Sequence, residues 1–191
     1  MNEAEFKEKL KEELQKELKD DGVKIEKDKN LIYKIVVNEK FAFEPNTPKE
    51  PKRGSYAFQT DLLIMSEDNS LPLVVIETKY GGFSTHDILT YSTKAQKHKE
   101  IYPYLRYGLV VGGESKIHNR FFTHNMGFDF AYGLNSVDDD DSIKDLAYII
   151  KQQIKNAYLL LDVLRNKNRT KKFNTIIEIE KLNEREGDKN G

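Results

Sequence analysis

Two apolar segments of this chain carry charged residues where a buried strand would exclude them. The run Leu73-Val-Val-Ile-Glu-Thr-Lys79 has the composition of a strand covered on both faces, yet it closes with Glu77 and Lys79. Side chains two positions apart on a strand leave the same face, so these two emerge side by side at its end. The preceding segment, Ala57-Phe-Gln-Thr-Asp-Leu-Leu-Ile64, sets Asp61 inside an apolar stretch, a place that β-propensity disfavours. Desolvating a lone carboxylate or ammonium is costly. A fold that keeps all three near its core neutralises them against one another or presents them to a ligand.

Pairing of the two segments as a hairpin brings Asp61 and Glu77 within reach of one cation. Two carboxylates on adjacent strands repel, and a hard divalent metal with oxygen ligands relieves the repulsion. The backbone carbonyl of Thr78 lies between Glu77 and Lys79 and is a natural further ligand. Lys79 is placed to position a water and to balance charge on a phosphate. The bare Glu-x-Lys pattern is common here, recurring at Glu5–Lys7, Glu17–Lys19 and Glu50–Lys52. The first two belong to a helical pattern and the third contains Pro51. Only Glu77–Lys79 follows a long apolar strand and has an aspartate placed the same way one strand earlier.

The surrounding pattern predicts a mixed sheet flanked by helices, an α/β (α+β) architecture. Phe6, Leu10, Leu14 and Leu18 form one stripe of a helix over 3–19, with Gly22 as its stop. Three strands follow, at Leu31–Val37, Tyr56–Met65 and Leu71–Tyr80, with a hairpin turn at 68–70. Ser84 and Asp87 suit a capping box, opening a helix along Ile88, Tyr91, Ala95, His98 and Tyr102 that stops at Pro103. Strands at Tyr107–Val111 and Phe128–Tyr132 and a long helix over Ser142–Arg165 complete the order. At 191 residues the chain suits a single domain over 1–182 with a frayed polar tail at 183–191.

The absence of Cys removes disulfides and cysteine-based metal or redox sites. No run has the apolar length of a membrane span, and residues 1–20 alternate Lys and Glu without the apolar stretch of a secretory signal, so a cytoplasmic setting is expected. A net charge of -1 neither demands nor forbids nucleic acid, but the cations cluster. Lys94 and Lys97 on the second helix, and the run Arg165, Lys167, Arg169, Lys171 and Lys172, suit contact with phosphates. His98, on an apolar stripe, reads as a core residue, and the rings of Tyr102, Tyr104 and Tyr107 read as packing.

Asp61, fifteen intervening residues and then Glu77-Thr78-Lys79 resemble the signature of the PD-(D/E)XK nuclease superfamily, the restriction-endonuclease-like fold. Its core order of helix, three-strand meander, helix and strand matches residues 3–111; the C-terminal strand and long helix are extra. Thr60 stands where the signature has proline. The resemblance implies Mg²⁺, with Mn²⁺ as a substitute, held by Asp61, Glu77 and the Thr78 carbonyl, with Lys79 at the attacking water. It implies endonucleolytic hydrolysis of phosphodiester bonds of DNA, possible restriction activity, products with 5′ phosphates, and a homodimer for cutting both strands. It leaves DNA versus RNA open. Many relatives add an acid from the first helix, for which Glu3, Glu13 and Glu17 are candidates. The Gln-x-x-x-Tyr signature of helicase-linked relatives is missing from 84–102. Two rivals stand beside the hydrolase: a non-catalytic nucleic-acid-binding module that keeps the fold, and an interaction protein that assembles through its long helix.

Overall fold

An Asn2–Glu5 capping box opens helix α1 (Glu3–Glu17), which buries Phe6, Leu10 and Leu14, and the chain turns beyond it at Gly22 with φ +64°. The structure, a computed structural model, describes residues 1–47, 49, 51–68, 70–166 and 169–182. Strands β1 (Val23–Lys27), β2 (Asn30–Ile32), β3 (Val36–Val37), β4 (Phe43–Glu44), β5 (Ala57–Gln59), β6 (Leu62–Ser66) and β7 (Pro72–Tyr80) follow. Then come α2 (Thr85–Ile101), β8 (Arg106–Gly112), α3 (Asn119–His124), β9 (Phe130–Leu134) and α4 (Asp140–Asn166). The expected Ser84–Asp87 capping box opens α2.

The main sheet has five strands in the order β1-β6-β7-β8-β9. Its first three strands are antiparallel and β7, β8 and β9 run parallel, so the sheet is mixed. α2 is the crossover between the parallel neighbours β7 and β8. Alternation sorts the two faces. Leu62, Ile64, Val74 and Ile76 pack with α1 and α4, whereas Leu63, Met65 and Val75 pack with Ile88 and Ala95 of α2. The result is three layers: helices, sheet, helices.

The first strand corrects the sequence reading. Leu31–Val37 is divided between β2 and β3, which pair with β5 and β4 in two small ribbons apart from the main sheet. The sheet's first strand is Val23–Lys27. That segment alternates, turning Val23 and Ile25 inward and lysine and glutamate outward, as an edge strand requires. Leu31–Val37 has the β-branched composition of a strand but no such alternation. The expected Tyr56–Met65 strand also breaks, at Thr60 and Asp61. The short helix α3 carries no strong period and was not expected. The expected tail at 183–191 lies outside the described residues.

Two close contacts fix α1. The Gln15 side chain donates to the Val23 carbonyl (3.3 Å) and accepts from the Ile25 N–H (2.7 Å), occupying the outer edge of β1. Phe6 lies flat on Gly112 at the end of β8, where a Cβ would come 2.4 Å from the ring. No helix among the described residues is long and apolar enough to cross a membrane.

His98 is fully buried, as its stripe suggested. Its Nε2 donates to the Leu31 carbonyl (3.1 Å), and its ring lies near those of Tyr107 and Phe58. Burial lowers its pKa to about 4 from the ordinary 6.5. A depressed histidine pKa gives stability that is present above 6.5 and lost as pH falls through 4. The expected loss over that window is about 3 kcal/mol. His98→Gln should flatten it, as read by urea unfolding at pH 7, 5.5 and 4.5. Identical pH profiles for parent and variant would disprove the assignment.

Candidate active site

β6 and β7 stay together only to the pair Leu62↔Ile76, while β7 remains paired with β8 as far as Tyr80↔Gly112. From Glu77 onward one edge of β7 is therefore open. Asp61 occupies the first gap: its Oδ2 accepts from the Thr78 N–H (2.8 Å) and from the Thr78 hydroxyl (3.2 Å). An extended residue turns its N–H and C=O to the same edge, so the Thr78 carbonyl also faces the opened side. Its side chain supports Asp61 from the α1 face, while Glu77 and Lys79 leave from the α2 face.

Glu77 is 1% exposed. One carboxylate oxygen accepts from both Lys94 Nζ (2.7 Å) and the Tyr107 hydroxyl (2.6 Å). Burial pushes its carboxyl up from the ordinary range; Lys94 pulls against that, and the charge of Asp61 adds to it. Burial and Glu77 together raise the Tyr107 phenol well above its usual value, so it remains a donor. Lys94 also donates to the Gln59 carbonyl (3.0 Å) and stands 5.2 Å from the centre of the Tyr91 ring.

The same ring faces Lys79, whose Nζ is 5.5 Å from its centre and sits near Glu3 (3.5 Å) and Asp87 (3.4 Å). Burial works to lower the pKa of Lys79, but Tyr91, Glu3 and Asp87 outweigh it and hold the ammonium above its ordinary value. Burial, with Glu77 adding to it, pushes the Tyr91 phenol up to about 12. On the other side, Lys7 of α1 reaches Asp61 (3.3 Å) and pairs with Asp28. Phe58, Gln59, Asp61, Glu77, Tyr91 and Lys94 line an open cleft of about 730 Å³.

Asp61 and Glu77 thus meet at the cleft, and Lys79 follows one step further along β7. Of the three first-helix acids only Glu3 approaches, and its partner is Lys79; Glu13 pairs with Lys16, and Glu17 ends α1 far from the site. Lys94 is not on a solvated face but inside the cleft, on Glu77. Lys97 is exposed and paired with Glu100. Arg165 and Arg169 are exposed, and α4 covers the opposite face of the sheet from α2; Lys167 lies outside the described residues. The sequence reading missed Lys7, Tyr91 and the Tyr107 hydroxyl. A signal existed for part of this: Asp87 and Lys94 recur at helical spacing with Tyr91 and His98, two members of the apolar stripe, and so share a flank with them.

Among the described residues no group of three or more His, Cys, Asp or Glu gathers as a metal cage. The oxygen donors on offer are two carboxylates and one backbone carbonyl. No protein-family model matches the chain, and no curated protein matches it.

Lys94→Met should leave the buried Glu77 charge with Tyr107 alone, at a cost of about 3 kcal/mol at pH 7. Because the folded pKa of Glu77 already lies above the ordinary 4.5, ionisation costs stability as pH rises beyond that value. The deficit should therefore shrink as pH is lowered through 4.5, where the carboxyl is neutral in both states. Adding Glu77→Gln should recover most of it. A deficit independent of pH in denaturant titrations would contradict this account.

Proposed function

We propose that this protein is a metal-dependent nuclease, built on a restriction-endonuclease-like core, that hydrolyses phosphodiester bonds of DNA. The observation that carries the reading is the open edge of β7: two carboxylates line a cleft there, the Thr78 carbonyl turns to the same edge, Lys79 is on the same strand and Lys94 is opposite. The donors suit Mg²⁺ chemically. Mg²⁺ prefers hard oxygen ligands, needs only one or two carboxylates, and keeps several waters. Asp61, Glu77 and the Thr78 carbonyl would hold it. When bound, the ion supplies Lewis-acid stabilisation of charge on the phosphate and acidifies water at neutral pH.

The chain's own groups divide the remaining work. Lys79 is held as an ammonium, so it takes no proton; it donates hydrogen bonds that orient a water and offset charge growing on the phosphate. Asp87, Glu3 and Tyr91 keep that ammonium in place. Lys94 presents its charge to a phosphodiester seated in the cleft while opposing the burial that raises the Glu77 carboxyl. Tyr107 fixes the Glu77 carboxylate from within the core. A second copy would allow both strands of a duplex to be cut, and the outer face of α4, with Tyr158, Leu159 and Leu164 exposed, is available for it.

One observation favours the non-catalytic nucleic-acid-binding module instead. Each carboxylate already has an ammonium, Lys7 at Asp61 and Lys94 at Glu77. The two readings separate cleanly. The nuclease should nick or linearise supercoiled plasmid with Mg²⁺ or Mn²⁺, stop on chelation, and lose about 100-fold or more of its rate in Asp61→Asn and in Lys79→Ala, with folding checked by circular dichroism. DNA binding that ignores chelator and Glu77→Gln, without any cleavage by the parent, would establish the module and reject the nuclease.

A further inference from the structure

The ribbon beside the cleft carries an aromatic residue that nothing among the described residues accounts for. β3 and β4 form a hairpin, Val36↔Glu44 and Val37↔Phe43. Its loop is organised by Asn38, whose side-chain oxygen accepts from the N–H groups of Lys40 (2.9 Å) and Ala42 (3.0 Å). Phe41 ends this turn with φ +57°, the left-handed position that glycine usually takes in a hairpin. The residue is 92% exposed. The position therefore combines an unfavourable backbone for a bulky side chain with a ring that gains nothing from burial. Phe43 and Val37 are also exposed on the same ribbon.

The hairpin is tied to the cleft wall. Glu44 accepts from Asn38 (2.9 Å) within the hairpin and from the Tyr56 hydroxyl (3.0 Å) next to β5. Tyr33 stacks on Phe58 with ring centres 3.7 Å apart, and Phe58 lines the cleft together with Arg53. Lys34 and Lys40, at the base and tip of the hairpin, make no ion pair among the described residues. An exposed ring among unpaired cations, next to a cleft open along a strand, is what a nucleic-acid strand requires: a face for a base and charges for its phosphates.

We infer that the 34–44 hairpin grips the DNA strand leaving the cleft, with Phe41 stacked on an unpaired base and Lys34, Lys40 and Arg53 meeting its phosphates. This rests on the nuclease reading and names the element that holds its substrate. The sequence contains no tryptophan, so Phe41→Trp gives a fluorophore that reports on this position alone. In chelator, to prevent cleavage, its emission should be quenched by a single-stranded oligonucleotide. Phe41→Gly should bind that oligonucleotide about tenfold more weakly, the value expected for one stacked base, without lowering its melting temperature. Unaltered affinity in Phe41→Gly together with no quenching in Phe41→Trp, in a parent that binds and cuts DNA, overturns the hairpin's role and leaves the nuclease standing. A parent that neither binds nor cuts DNA overturns both. Quenching or blue shift of Phe41→Trp on phosphatidylserine vesicles, with no response to DNA, would reassign the hairpin to a membrane surface and reject the inference.

Discussion

Between Thr60 and Leu62 the chain serves two ladders at once. The Thr60 N–H and hydroxyl both donate to the Lys29 carbonyl on the ribbon side, whereas Leu62 is already paired with Lys27 and Ile76 in the main sheet. The strand splits there, and the buried N–H of Thr78 loses its backbone acceptor. Such a group must find another partner. The Asp61 carboxylate provides it, at 2.8 Å. One aspartate therefore closes the split structurally and places a negative charge at the mouth of the opening. Ladder, cleft and acid have one origin.

The charges around that opening are balanced almost pairwise. Lys7 answers Asp61 and Asp28, Lys94 answers Glu77, and Lys79 stands between Glu3 and Asp87. Networks of this kind contribute little to stability once desolvation is counted. An apolar strand end would cover the same ground at less cost. Tyr91 is shared by two of these pairs, since the Nζ atoms of both Lys79 (5.5 Å) and Lys94 (5.2 Å) stand near the centre of its ring.

Much of this was legible in the sequence, for identifiable reasons. Apolar stripes marked α1, α2 and α4, and a capping box marked the start of α2, because helix signals are local. Glu77 and Lys79 were legible because strand alternation is strict and their context is apolar. The place of the first strand was not: Leu31–Val37 looks more strand-like than Val23–Lys27, and only tertiary pairing decides between them. Lys7 and the Tyr107 hydroxyl were invisible for the same reason. Nothing in their neighbours along the chain marks them, and each reaches the site from an element distant in sequence. Lys94 was noticed, but its partner was not, since pairing across 17 residues depends on how α2 crosses the sheet.

Phe6 resting on bare Gly112 has a consequence for how this molecule can diverge. The contact sets the height of the first helix above the sheet, and Glu3, about one turn before Phe6, and Lys7, the residue after it, inherit that height. Any methyl group added at 112 would lift the helix and draw both residues away together. Sequence drift along the outer surface of α1 is cheap, but at this one spot the spacing of two layers and the electrostatics of the cleft are a single inherited trait.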